Sequence, residues 1–162
     1  MNIGDLARET TACGNPPSGP GRGCDNSSST GGATLSASGG TYLSSDSLVL
    51  TTSGEKPSAL SLVIQGTGLD GLGATFGMGV RCVQGPLKRL YVKSASGGSI
   101  TAPNLGVGDP QVSVRSAALG DTILPGQSRW YLVYYRDPVV LGGCPSTSTF
   151  NATQTGQVTW SP

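Results

Sequence analysis

Four cysteines, Cys13, Cys24, Cys82 and Cys144, are the residues of this chain best suited to covalent chemistry. An even number of them permits three pairings. Cys13 and Cys24 flank CGNPPSGPGRGC, a Pro/Gly loop with no other evident tie, so a local bridge is expected between them. That leaves Cys82 for Cys144. The second bridge would close a loop of about sixty residues and stabilise the fold by roughly 4 kcal/mol through chain entropy. Metal ligation is the weaker reading of the same thiols. Their spacings are not Cys-x-x-Cys, and the chain has no histidine to complete a ligand set. Disulfides imply an oxidising compartment.

The missing histidine also removes the Ser–His–Asp triad, Cys–His catalysis and the zinc-binding HExxH pattern. A G-x-S-x-G elbow is absent, since Ser96 in Ser94-Ala95-Ser96-Gly97 has the wrong residue two before it. Gly54-Glu55-Lys56 lacks the upstream glycine cradle of a phosphate loop, and Gly66-Thr67-Gly68 reads as a turn with no helix after it. The acids are Asp5, Glu9, Asp25, Asp46, Glu55, Asp70, Asp109, Asp121 and Asp137. Nearly all stand beside Gly, Pro, Ser or Asn, where a short carboxylate bonds its own backbone to build turns. A glycosidase pair of carboxylates is therefore not expected. Calcium is the one ion that stays open, because Asp25, Asn26, Asp70 and Asp109 lie in loops able to converge with backbone carbonyls. No Asp-x-Asp-x-Asp pattern supports it, so no cofactor is expected.

Aromatic and basic residues offer binding chemistry. Trp130, Tyr131, Tyr134 and Tyr135 crowd one segment. They read as core with a phenolic rim, or as an alternate set on an open face that stacks on sugar rings. In the second reading the stacking candidates are Trp130, Tyr131, Tyr135 and Tyr91, with Tyr42 and Trp160 extending the platform. Arg81, Lys88, Arg89 and Lys93 form the single basic concentration: a solvated face, or a site for an anionic ligand. The net charge of +1 predicts no footprint for nucleic acid or an anionic membrane.

These groups must be positioned by a loop-rich scaffold. The chain has 162 residues, enough for one domain. Charged residues make up 12%, about half the usual share, and 26 glycines punctuate the rest. Short strand-like runs recur every 8–14 residues between turn signals, the mark of a sandwich or barrel. The runs are 34–38, 47–52, 59–65, 76–83, 87–93, a short one from Ile100 stopped by Pro103, 111–115, 129–136 and 154–160. In 87–93, Leu90 and Val92 are expected to face in, with Arg89, Tyr91 and Lys93 outward. In 111–115, Val112 and Val114 share a face. Residues 66–73, GTGLDGLG, read as a glycine-rich loop. The run RWYLVYYR is apolar on both faces and suits a central strand covered on both sides. One turn of helix fits near 117–121.

The prediction is an all-β, antiparallel two-sheet β-sandwich, Ig-like or jelly-roll-like and pinned by disulfides. Residues 1–12 form a linker or arm, or an edge strand through Ile3 and Leu6, and 13–162 form the single domain. Asn26-Ser27-Ser28 and Asn151-Ala152-Thr153 match glycosylation sequons and so suggest surface positions. No run approaches the ~20 apolar residues of a membrane span. The N-terminus lacks the apolar region of a signal peptide, which favours a fragment of a longer secreted precursor with Met1 an added start.

Three segments together carry a resemblance. They are Cys13-Gly14-Asn15 leading through GPGRGCDNS to GGATLSASG; FGMGVRCVQGPLKRLYVK; and RWYLVYYRDP followed by CPSTSTFNATQTGQVTW. Over about residues 12–160 this is similar to a domain found repeatedly near the C-termini of large predicted secreted proteins of planctomycetes and related bacteria. The resemblance implies an exported, modular β domain attached to other extracellular parts, with no catalytic activity and no site to carry over. In that family further cysteines often precede the first bridge; Glu9-Thr10-Thr11 stand there in this chain, so an additional bridge is absent.

The expected function is a non-catalytic extracellular structural, adhesive or assembly module at the cell surface. Its partners are other domains of a secreted protein or copies of itself. The alternatives are a carbohydrate-binding module and a filament or sheath subunit in which residues 1–12 are an exchanged strand.

Overall fold

The computed structural model describes residues 13–162. Ten strands follow one another: β1 (Thr34–Ser38), β2 (Val49–Ser53), β3 (Leu60–Gly66), β4 (Gly68–Phe76), β5 (Gly79–Gln84), β6 (Lys88–Ser94), β7 (Thr101–Ala102), β8 (Ser128–Arg136), β9 (Phe150–Ala152) and β10 (Gly156–Thr159). A 3₁₀ turn at Leu105–Val107 and helix α1 (Val112–Ala118) lie between β7 and β8. All strand pairing is antiparallel. A three-stranded sheet runs β1-β2-β7. A five-stranded sheet runs β10-β8-β3-β6, with β9 pairing the far half of β8. The β4–β5 hairpin forms a separate pair.

Alternation in the strands builds the sandwich. Leu35, Leu50 and Ala102 of the smaller sheet share one core with Val63, Tyr131, Val133, Tyr135 and Val158 of the larger one, joined by Val112, Ile123 and Trp160. Each such buried aliphatic contributes about 1.5–3 kcal/mol of transfer free energy. The other face of β8 presents Trp130, Leu132 and Tyr134 to Val83 and Phe76 of the hairpin. The central strand is therefore covered on both sides, as its composition predicts.

The smaller sheet's β1 edge is closed by a side chain. Leu35 N–H donates to Gln154 Oε1 at 2.8 Å, and Gln154 Nε2 donates back to the Leu35 carbonyl at 2.6 Å. At the β6 edge, Arg115 Nε donates to the Leu90 carbonyl at 2.8 Å.

Several elements differ from the sequence reading, each for a visible reason. Residues 111–115 are not a strand: α1 occupies 112–118, with Val112 and Ser116 buried four residues apart on one face and Val114 53% exposed. The anchor is remote, since Asp46 Oδ2 accepts from Ser113 N–H at 2.7 Å and satisfies a first-turn donor. The glycine-rich 66–73 stretch is largely strand β4, with a register shift between Leu69 and Ala74. Gly73 sits there at φ +69°, and a Cβ would stand 2.5 Å from Val80 Cγ1, so glycine marks the irregularity of a strand rather than a loop. In β6, Tyr91 stands opposite Val63 and Arg89 opposite Ile64, leaving Leu90 as a bulge residue. Leu90 and Tyr91 consequently both point inward, and Val92 is 59% exposed instead of buried. Strand β9 has no counterpart in the expected runs.

The disulfide joins Cys13 to Cys144, whose Cα atoms are 4.8 Å apart, so neither the Cys13–Cys24 nor the Cys82–Cys144 pairing holds. The 13–24 loop has the tie that its sequence conceals. Asn15 Nδ2 donates to the carbonyls of Asp25 (2.7 Å) and Met78 (2.9 Å), and Asp25 N–H donates to Asn15 O at 3.0 Å. A link across 131 residues removes about 5 kcal/mol of unfolded-state entropy. Cys24 is buried, and its carbonyl accepts from Asn151 Nδ2 at 3.3 Å. Cys82 carries a half-buried thiol that burial, helped by the charge of Asp70, pushes above its ordinary value. The sequon asparagines are internal staples: Asn26 is 1% exposed and Asn151 fully buried. Asn26 Nδ2 donates to the Gly54 carbonyl at 2.8 Å and the Tyr135 hydroxyl at 3.1 Å. The expected linker or edge strand at 1–12 lies outside the described residues.

Candidate functional site

The face of the five-stranded sheet turned away from the sandwich core holds a groove of about 900 Å³. Strand alternation makes its floor. Ser61, Val63 and Gln65 of β3 face the core, so Leu60, Leu62 and Ile64 face out. On β8 the same logic turns Leu132, Tyr134 and Arg136 outward. Phe76, Tyr134 and Phe150 form one wall, with ring centroids 4.8–5.8 Å apart in edge and tilted contacts. Leu87 and Leu119 border it elsewhere.

Four cations line this apolar space: Arg81, Lys88, Arg89 and Arg136. The Arg81 guanidinium stands 5.5 Å from the centre of the Phe76 ring, and its Nε is buried with no acceptor among the described residues. Arg136 Nη1 donates to Thr149 Oγ1 at 2.9 Å. No carboxylate lines the groove, and none forms an ion pair with these four among the described residues. The basic concentration in the sequence is thus divided. Arg81, Lys88 and Arg89 meet Arg136 in the groove, whereas Lys93 pairs with Asp109. Burial pushes the Asp109 carboxyl up, but the Lys93 ammonium and the Asn104 N–H outweigh this and hold it below its ordinary value.

The stacking candidates lie elsewhere. Tyr131, Tyr135 and Tyr91 are buried in the core between the sheets, and Trp130 is half-buried against the hairpin. Tyr91 Oη donates to the Pro110 carbonyl at 2.7 Å, and burial raises all three phenols well above their ordinary value. Trp160 is buried too, which leaves Tyr42 as an exposed ring of that set. These residues do not form a sugar platform. Of the aromatic residues on β8, Tyr134 reaches the groove and is absent from the candidate set; its two-residue spacing from Leu132 is the signal that places it on that face.

The carboxylates act as structural acceptors. Asp25 accepts from the Asn26 and Gly31 amides at 2.8 Å, Asp46 from Leu48 and Ser113, and Asp70 from Leu72. Asp121 takes a bidentate pair from Arg129 at 2.8 and 2.7 Å and a bond from Gln65, which holds its carboxyl below the ordinary value. Asp137 accepts from the Ser27 amide and hydroxyl beside Lys56. Burial pushes the Glu55 carboxyl up, against the pull of its bond from Ser61. Among the described residues, no three His, Cys, Asp or Glu side chains converge as a metal site requires. In the loops named for calcium, Asp25, Asn26 and Asp70 accept from backbone amides, and Asp109 accepts from the Asn104 amide and pairs with Lys93. No helix among the described residues is long and apolar enough to cross a membrane.

Set beside known proteins, the chain matches no family model, no curated sequence and no solved structure.

Proposed function

We propose that this chain is a non-catalytic extracellular module, part of a larger secreted or surface protein, that holds a partner against the outer face of its five-stranded sheet. The observation that carries this reading is the groove: an apolar floor with unmatched cations, on a molecule whose described acids are occupied as structural acceptors. The Cys13–Cys144 bond supports an oxidising location. Exchange of residues 1–12 between copies draws less support, because Gln154 occupies Leu35 on the β1 edge and β6 carries a bulge with Lys88, Arg89 and Lys93.

Nile red, a neutral solvatochromic dye, tests the site. It is expected to bind and to shift its emission to the blue. Leu60→Gln with Leu62→Gln should abolish the shift while leaving the melting temperature within a few degrees, since both side chains lie at the surface of the groove. A shift that survives the double substitution argues against the groove. Turnover of a glycan, peptide or ester substrate that is lost on one Asp or Glu substitution would sink the non-catalytic reading.

A further inference from the structure

The charges of the groove identify the chemical class of its occupant, an inference that rests on the groove being the holding site. Elsewhere in the described chain, cations are satisfied from within. Arg22 donates to the Gly32 carbonyl and Arg115 to the Leu90 carbonyl, while Lys56, Lys93 and Arg129 pair with Asp137, Asp109 and Asp121. The Lys88 and Arg89 side chains have no hydrogen bond or ion pair among the described residues, and Asp121, an acid that feels the Lys88 charge, is already committed to Arg129. Arg81 Nε is buried without an acceptor, an uncommon state for a polar atom. Arg89 stands beside Ile64 at one end of the apolar row, and Arg136 follows Tyr134 along β8 towards the other.

Between these cations the floor offers nothing polar. Leu60 and Leu62 present only hydrocarbon, backed by the buried Ile64 and Leu132. A peptide laid there would bury amides without partners, and a sugar would bury hydroxyls; both are penalised. An alkyl chain loses no hydrogen bond. From Leu60 to Ile64 the row runs ~13 Å at strand rise, the extent of roughly ten methylenes at ordinary single-bond lengths. The groove volume lies in the range of small-molecule sites.

We infer that the groove binds an anionic amphiphile of the fatty-carboxylate class, with its chain along Leu60, Leu62 and Ile64 and its charge matched by the Arg81 and Arg89 side chains that line it.

The test is displacement of Nile red from the whole protein by sodium decanoate below its micelle-forming concentration, with decan-1-ol, sodium acetate and an acidic leucine-rich peptide as controls. Decanoate should displace the dye at concentrations about tenfold lower than decanol, the yield of one charge-assisted contact. Its affinity should fall with added salt, and acetate should do nothing. In the Arg81→Gln, Arg89→Gln double variant, with displacement referred to that variant's own dye affinity, decanoate should fall to the level of decanol. Equal displacement by decanoate and decanol in the unaltered protein overturns the headgroup assignment while the holding site stands. Tighter displacement by the peptide overturns it in favour of a protein partner. Failure of the dye to bind at all removes both readings.

Discussion

The two faces of the five-stranded sheet share the same strands and end in opposite electrostatic states. On the inner face Arg129 lies against Asp121, Gln65 Nε2 donates to Asp121 and Ser116 at 2.7 Å, and buried Glu55 takes a bond from Ser61, while Lys56 reaches Asp137 just past the end of β8. On the outer face four cations line hydrocarbon with no carboxylate among them. A buried charge left alone costs several kcal/mol, so the inner face has to be completed before the sandwich can close. The groove on the outer face is open to solvent, where the exposed Arg89 and Arg136 cost little without a carboxylate. Folding therefore fixes the first arrangement, and the second is free to be set by what the molecule meets.

The largest test of this contrast is a pair of leucine truncations. Leu50→Ala, in the sealed core, should lower unfolding free energy by about 3 kcal/mol. Leu62→Ala on the groove floor should lower it by less than about 1 kcal/mol. Urea denaturation measures both; equal losses would mean the groove floor is a second closed core.

Next is Arg129→Met, which strips Asp121 of its bidentate partner on the inner face and should cost about 2–3 kcal/mol at neutral pH. The pH dependence has a definite sign. The Asp121 carboxyl is held low in the folded state chiefly by Arg129, so its stabilisation is complete above the unfolded value near 4 and is lost as pH falls through the lower folded value. The wild-type protein should shed this increment in that acid window, and Arg129→Met should show a shallower acid decline. Parallel curves would detach the pair from the stability of the inner face.

The smallest effect belongs to the outer face. Arg89→Gln should leave stability within about 0.5 kcal/mol, because no intramolecular bond is lost. A large destabilisation would show that the groove cations belong to the fold after all.

Strands whose pattern is local were legible: TLSAS, LSLVIQG and the two-faced SRWYLVYYR all reach the sheets their alternation implies. What escaped depends on distant partners. Nothing within QVSVR announces that Asp46 will cap it as a helix, and nothing within CGNPPSGPGRGC announces that Asn15 will tie it to Met78 and free Cys13 for Cys144. The β6 bulge is likewise a property of its pairing with Val63 and Ile64, and it reverses which of Leu90, Tyr91 and Val92 is covered. Of the site, Arg81, Lys88 and Arg89 stood out, with Lys93, as a basic group, and 59–65 as a strand-like run. Their meeting did not, because it needs the hairpin to bring Arg81 beside the Leu60, Leu62 and Ile64 row.

Gln154 has a consequence of its own. Its carboxamide offers one acceptor and one donor to Leu35, the pair of groups that the backbone of a neighbouring strand would supply. A single side chain thus impersonates one residue of an eleventh strand. The lateral growth that turns exposed β edges into aggregates is blocked at that rung from inside the molecule.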